Sequence, residues 1–153
     1  YDPSQQILRL EPDMLRRGIE HCHTLAVNEY EWDLLTRKTG LSQADVLGRV
    51  KLLARTLGKN GAELFADGQH YVIPIFPTDD VTDPTGVGDA FRAGLLTGLA
   101  HRWPWEVIGR VGSLCAAYAI ERVGTQSHRF TPSDFVARYR AVWEDGGVLS
   151  SLL

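Results

Sequence analysis

The chain has 153 residues, of which 44% are hydrophobic and 23% charged, a composition typical of one folded domain and unlike that of a disordered chain. With 16 Lys and Arg against 19 Asp and Glu, the formal charge is −3, so no basic surface for nucleic acid or anionic membrane is expected. No apolar run reaches membrane-spanning length, and Cys22 and Cys115 are too few for a disulfide framework. The first residues carry neither a signal-peptide pattern nor an initiator Met, so we expect a cytoplasmic fragment.

The first half of the chain alternates short helical and strand patterns. Apolar spacing predicts helices at 11–22, 29–38 and 43–50, and strands at 24–27, 50–56, 62–66 and 70–76. Gly40 is expected to stop the second helix and Ser42 to cap the third, and Asp67-Gly68 predicts a hairpin turn between the last two strands. The second half is predicted to be helical over 90–101, 104–122 and 131–143, with Gly124 as the C′ residue of the middle helix. Strands mixed with helices predict a layered α/β fold.

The strongest chemical pattern is the segment Asp-Pro-Thr-Gly-Val-Gly-Asp at 83–89, just before an apolar helix. Gly86 and Gly88 let the backbone approach a ligand, and the first amides of a helix point outward without internal partners. Together with the helix dipole they predict an anion site. Asp89 would repel a phosphate there, unless its carboxylate accepts the proton of an attacking hydroxyl while the amides neutralise the transferring phosphoryl group. The alternative is an ordinary turn with Asp89 as a capping acid.

Two well-known phosphate-binding motifs do not fit this segment. It lacks the Lys-Ser/Thr of a Walker A loop, and Phe91 stands where a dinucleotide-binding loop has its third glycine. The segment resembles instead the C-terminal signature of the ribokinase-like (PfkB) kinases. By that resemblance Asp89 is the catalytic base and also lies at the acceptor. Gly86, Val87 and Gly88 form the anion hole, and Gly88 also contacts the nucleotide.

Two further segments resemble the same family in the expected chain order. Asn28 and Glu31 match its Asn-x-x-Glu, which implies that Glu31 helps to place Mg²⁺ through water and that Asn28 contacts the nucleotide. Taken alone, the pair would be a helix-start acid with a capping Asn. The second segment matches the family's Thr-x-Gly-x-x-Gly. The match implies a nucleotide loop made of Thr56, Leu57, Gly58, Lys59, Asn60 and Gly61. Taken alone, the segment would be an ordinary turn.

The resemblance to the family covers about residues 2–126, and some segments within it resemble one group of family members in particular. The segments 2–6, 28–35, 38–40, 44–46 and 82–94 resemble actinobacterial-type adenosine kinases. In those enzymes a Gln pair lies at the nucleoside site, which implies that role for Gln5 and Gln6. An amide suits it, because it offers both a donor and an acceptor to a base or ribose. Without the resemblance, the pair would be part of a polar loop.

The resemblance implies a three-layer α/β/α ribokinase-like sheet, with 1–153 as the C-terminal nucleotide-binding and catalytic part of the kinase domain. Ribokinase-like enzymes are about twice this length, so the N-terminal half and its lid are missing from this chain. We therefore expect the isolated chain to be inactive or nearly so.

The implied activity is transfer of a phosphoryl group from ATP, with Mg²⁺, to the 5′-hydroxyl of adenosine, giving ADP and AMP. A PfkB sugar kinase acting on ribose or fructose and a non-catalytic nucleotide-binding module are the alternatives. The expected partners are ATP and a small nucleoside or sugar, without nucleic acid or membrane, and a homodimer is left open.

His21-Cys22-His23 has no second spaced pair of ligands, which disfavours a zinc site.

Overall fold

The computed structural model describes residues 1–153 and divides them into two compact units, Tyr1–Ile73 and Pro74–Leu153. The first unit combines strands with helices, whereas the second contains helices alone. The predicted α/β class is therefore confirmed. No helix combines the length and the hydropathy that a membrane crossing requires.

The first unit contains nine elements. In chain order they are a 3₁₀ helix (Ser4–Leu8), α1 (Pro12–Glu20), β1 (Thr24–Asn28), α2 (Glu29–Thr39), α3 (Gln43–Leu47), β2 (Leu52–Thr56), a 3₁₀ turn (Gly58–Asn60), β3 (Ala62–Ala66) and β4 (Gln69–Ile73). The second unit contains α4 (Val87–His101), α5 (Trp105–Ile120), α6 (Pro132–Arg140) and a 3₁₀ helix (Val148–Leu152).

The four strands form one mixed sheet in the order β1-β2-β3-β4. β1 and β2 are parallel, and the remaining pairs are antiparallel. Residues directly opposite each other point to the same face, so Leu25 and Leu53 share a face. That face belongs to the apolar core of the first unit, which α1, α2 and α3 complete through Leu15, Ile19, Leu35 and Val46.

Capping residues explain where several helices begin. Asn28, Ser42 and Thr131 each accept a hydrogen bond from the backbone N–H three residues later, and an acidic side chain there returns the bond. Such a box satisfies amides that a helix start would otherwise leave without partners. α2 ends where predicted, at Gly40, whose φ of 70° is left-handed.

The boundaries of α4 and α5 differ from the prediction. α4 begins at Val87 rather than residue 90, because Gly86, at φ 82°, is its N-cap. α5 ends at Ile120 with Glu121 as the C-cap, so the prediction of Gly124 as the C′ residue was wrong. Gly124 lies in the turn beyond, at φ 87°.

Other elements are shorter than predicted. α1 ends at Glu20 and α3 at Leu47, where the last turn closes on Gly48. β4 ends at Ile73, since Pro74 has no N–H for the ladder. α6 ends at Arg140 rather than residue 143. Each difference lies at an end of an element, where sequence patterns are weakest.

The last residues of the second unit are held by Asp145. Its carboxylate accepts hydrogen bonds from Arg140 Nε at 3.2 Å, Arg140 Nη2 at 3.0 Å and the backbone N–H of Leu149 at 3.0 Å. The bond from Arg140 lowers the pKa of Asp145 from 3.8 to about 2. The Leu149 side chain is fully buried, so the apolar tail packs on its own unit.

Candidate active site

The glycine loop and the start of α4 form the part of the second unit that the sequence singled out. Gly86 occurs at φ 82°, and a Cβ placed on it would lie 3.0 Å from Thr125 Cβ. Only glycine fits this conformation and this contact without strain. No side chain caps α4, and the N–H of Val87 has a long hydrogen bond of 3.3 Å to Pro84 O. The N–H groups of Gly88 and Asp89 in the same turn stay without a partner inside the helix and point outward. This is the backbone arrangement that binds anions.

Asp83 fixes the shape of this loop, and sequence reasoning missed that role. Its Oδ1 accepts from the N–H of Thr85 at 2.9 Å, and its Oδ2 accepts from the N–H of Gly124 at 2.8 Å. The N–H of Asp83 itself donates to Ile120 O at 3.0 Å. The hydrogen bonds from Thr85 and Gly124 hold the pKa of Asp83 below its usual value. A charged carboxylate thus ties the glycine loop to the turn that follows α5.

Asp89 is the third residue of α4, and its side chain is 78% exposed. Its Oδ1 accepts a hydrogen bond from Arg92 Nη2 at 2.9 Å, an ion pair three residues apart on one helix. The carboxylate therefore projects into solvent at the mouth of the helix and remains open to a ligand. The i,i+3 spacing of the two residues on one helix is the signal in the sequence for this pair.

In the first unit, Asn28 and Glu31 bind each other. Asn28 Oδ1 accepts from the N–H of Glu31 at 2.8 Å, and Glu31 Oε2 accepts from the N–H of Asn28 at 2.9 Å. Glu31 is only 6% exposed. The capping interpretation of this pair is therefore correct, and a role with nucleotide or metal would be additional to it.

The predicted nucleotide loop follows β2. Thr56 is paired with Asn28 in the sheet, at the carboxyl ends of two parallel strands, where α/β proteins commonly bind ligands. The N–H of Leu57 donates to Gly61 O at 2.8 Å and closes a short hairpin turn. The residues at its tip, Gly58, Lys59 and Asn60, are exposed.

Gln5 and Gln6 lie on the first 3₁₀ helix, and both are exposed. Lys38 holds the end of this segment, because its Nζ donates to the carbonyls of Ile7 at 2.9 Å, Leu8 at 3.1 Å and Leu10 at 2.7 Å. Three carbonyls match the three donors of an ammonium group. α2 thereby fixes the backbone that carries the two amides.

The candidate residues divide between the two units. Residues 5, 6, 28, 31 and 56–61 belong to the first unit and residues 86–89 to the second. Within the first unit, sheet pairing brings Asn28 and Thr56 side by side. Within the second, the glycine loop and Asp89 are contiguous at the start of α4.

The sequence profile of the pfkB family of carbohydrate kinases matches residues 2–132. The chain belongs to this family. The nucleoside kinase of Methanocaldococcus jannaschii is 30% identical to this pfkB-family chain over 138 residues, which are 90% of the chain and 46% of that enzyme. The nucleoside kinase of Thermoplasma acidophilum is 34% identical over 121 residues, 79% of the chain and 40% of that enzyme.

A solved structure agrees with these sequence relatives. The nucleoside kinase of Burkholderia thailandensis, in complex with inosine, superimposes with a TM-score of 0.90 and 38% identity, covering 92% of this pfkB-family chain and 47% of that protein. The ribokinase-like fold implied by the sequence is thereby confirmed. The chain spans about half the length of the relatives it matches. Those relatives are nucleoside kinases, so the resemblance is to this wider group and not to actinobacterial adenosine kinases in particular.

Proposed function

We propose that these residues are the nucleotide-binding and catalytic half of an ATP-dependent kinase that phosphorylates a nucleoside. The observation that carries the proposal is the exposed carboxylate of Asp89 in the first turn of an uncapped helix, directly after the left-handed Gly86. A base next to outward-facing amides is what phosphoryl transfer to an alcohol needs.

In the proposed reaction, the acceptor hydroxyl gives its proton to Asp89 as its oxygen forms a bond to the γ-phosphorus of ATP. The bond between that phosphorus and the β,γ-bridging oxygen breaks, and ADP leaves with the electron pair. The backbone amides of Gly86, Val87 and Gly88 stabilise charge on the phosphoryl oxygens during transfer. Asp83 and Thr125 support this role, because they hold the loop in one shape before any ligand arrives.

The first unit would bind the nucleotide. Asn28 and Thr56 lie side by side, and the exposed tip Gly58–Asn60 follows them. Mg²⁺ prefers oxygen ligands, keeps several waters and needs only one or two carboxylates beside substrate phosphates. Glu31 fits a water-mediated contact of this kind, since its carboxylate is held in place by the N–H of Asn28. When bound, Mg²⁺ would neutralise phosphate charge.

Adenosine is our first candidate for the acceptor, and inosine and cytidine are the nearest competitors within the nucleosides. The exposed amides of Gln5 and Gln6, on a segment that Lys38 fixes, support a nucleoside. A sugar such as ribose or fructose is the second candidate, and the carbohydrate-kinase family favours it. A non-catalytic nucleotide-binding module is the third.

The test needs the part of the kinase domain that the relatives contain and that these 153 residues do not span. We suggest a chimera in which the N-terminal half of the Burkholderia thailandensis nucleoside kinase is fused in front of Tyr1. In this chimera Asp89→Asn should lower kcat by about 10²- to 10⁴-fold with little change in the KM for ATP, because general-base catalysis contributes that much. Asp13→Asn is the matched control, since Asp13 is also an exposed acid in a first helical turn, paired with an Arg three residues on.

Near wild-type turnover in Asp89→Asn would refute the proposal. Turnover of adenosine, inosine, cytidine, ribose and fructose, measured side by side, decides the acceptor. ATP binding without turnover of any acceptor would favour the non-catalytic module. The isolated 153-residue chain should show almost no turnover, and size-exclusion chromatography tests the homodimer.

A further inference from the structure

Arg92 is a positively charged residue at the start of α4, where the Asp89 carboxylate and a bound phosphate would repel each other. A carboxylate beside a phosphate-binding loop repels the phosphate that the loop should bind. The guanidinium of Arg92 lies close to both the carboxylate and the loop. Nη2 donates to Asp89 Oδ1 at 2.9 Å, and a Cβ placed on Gly88 would lie 3.3 Å from Nη1.

The two members of the pair differ in exposure. The Arg92 side chain is only 20% exposed, whereas that of Asp89 is 78% exposed. The cation is therefore held against the helix while the anion projects from it. The nitrogen that binds Asp89 and the nitrogen beside Gly88 belong to one rigid planar group, so a single side chain contacts both the carboxylate and the glycine loop.

We propose that Arg92 is a positioning residue for Asp89 and supplies the positive charge that lets a phosphoryl group approach the base. Its bond to Oδ1 directs Oδ2 toward the acceptor hydroxyl. Its charge offsets that of the carboxylate next to the amides of the loop. This inference rests on the proposed kinase function and assigns Arg92 a part in it.

The competing explanation is an ordinary surface ion pair, which at i,i+3 spacing contributes little. The chain contains such a pair for comparison. Arg16 Nη1 donates to Asp13 Oδ1 at 2.8 Å, also three residues apart, but that guanidinium is anchored by Thr39 O rather than lying against a glycine loop. Arg16→Gln is therefore the matched control for Arg92→Gln.

The test is a double-mutant cycle in the chimera. Arg92→Gln should lower kcat by about 10- to 100-fold, the loss expected from one charge-assisted hydrogen bond in the transition state. The KM for the nucleoside should change less than threefold, and Arg92→Lys should recover part of the loss. In the Asp89→Asn background, Arg92→Gln should have almost no further effect, because a residue that acts through the base has nothing left to act on.

Two outcomes would overturn the role of Arg92. One is an unchanged kcat in Arg92→Gln. The other is an equal loss in both backgrounds, which would indicate an independent structural effect. If instead Asp89→Asn itself retains turnover, the proposed function fails, and the two failures are thus distinguished.

A second measurement does not depend on turnover. The affinity of the 153-residue chain for pyrophosphate can be measured by isothermal titration calorimetry. Compared with wild type, this affinity should be lower in Arg92→Gln, higher in Asp89→Asn and unchanged in Arg16→Gln. Equal pyrophosphate affinity in wild type and Arg92→Gln would overturn the proposed charge compensation.

Discussion

The two units hold their candidate residues in different ways. In the first unit, Asn28 and Glu31 are bound to each other's backbone, and Glu31 is buried. In the second, Asp89 projects into solvent, and the loop before it is held by other residues, chiefly Asp83 and Thr125.

The difference teaches which substitutions can be interpreted. Where one side chain both caps a helix and contacts a ligand, its removal changes stability and binding together. Where support and chemistry belong to different residues, the two effects can be separated. Asp89 should therefore tolerate substitution without loss of stability, whereas removal of the Asn28 side chain should lower the free energy of unfolding.

Among the residues that shape the two loops, the largest effect should come from Gly86→Ala. The new Cβ would meet Thr125, and the left-handed backbone costs a non-glycine residue about 1–3 kcal/mol. We expect kcat of the chimera to fall about 100-fold or more, because a displaced loop misplaces the amides.

Gly68→Ala is the matched substitution in the first unit, outside the proposed nucleotide loop. Gly68 is also left-handed, at φ 73°, but nothing lies within 4 Å of its Cβ position. Kinetics and urea unfolding of both variants should give a smaller effect at Gly68. Equal effects would mean that the contact with Thr125 is unimportant and that the two loops are held alike.

Asp83→Asn should have the next largest effect. The substitution removes the charge from an acceptor that binds the N–H groups of Thr85 and Gly124, so the glycine loop loses its tie to the turn after α5. We expect a 10- to 100-fold lower kcat, about what a small misplacement of catalytic groups produces. Asp79→Asn, at an exposed acid of the same unit, is the control. A normal kcat in Asp83→Asn would mean that the charge of Asp83 is not needed to hold the glycine loop in place.

A pair of substitutions at Asn28 separates the cap from the proposed nucleotide contact. Asn28→Ala should lower the free energy of unfolding by about 1 kcal/mol, the usual value of an N-cap. Asn28→Asp should keep the cap, because a carboxylate also accepts the N–H of Glu31, but it removes the amide donor. Calorimetry with ATP should then give weaker binding in both variants. Normal ATP binding in Asn28→Asp would reduce Asn28 to a capping role.

The smallest effect is expected at Asp145, and it concerns how the free energy of unfolding changes at acid pH. Because Arg140 lowers the pKa of Asp145 from 3.8 to about 2, the carboxylate contributes its full stabilisation above pH 3.8. This contribution is lost as the pH falls from 3.8 to 2. Urea unfolding should therefore distinguish Asp145→Asn from wild type at pH 7 and much less at pH 2. A difference that is constant with pH would exclude the ion pair as its source.

Local signals in the sequence predicted most of the fold. The capping residues, the hairpin turn at Asp67 and the stop at Gly40 depend on a few neighbouring residues, and all lie close to where they were expected. The start of α4 was misplaced by three residues, since Gly86 and Gly88 have low helix propensity although Gly88 is helical. The N-cap Gly86 lies against Thr125, which is distant in sequence.

The candidate site was predictable to a similar extent. A motif identifies the residues that contact a ligand, and Asp89 and the glycines were found in this way. The supporting contacts of Asp83 with Gly124, and of Lys38 with the carbonyls near Gln6, join residues about 30 to 40 positions apart. No spacing rule reaches that far, because such contacts exist only once the chain has folded.

Because three carbonyls surround the amine of Lys38, the chemical reactivity of that amine reports whether the Gln5–Gln6 segment is docked. The chain contains only three lysines, and the other two, Lys51 and Lys59, are exposed. An acylating reagent should therefore label those two quickly and Lys38 slowly, for as long as the Gln5–Gln6 segment stays docked. Mass spectrometry of the labelled peptides would follow the opening of that segment without any engineered probe.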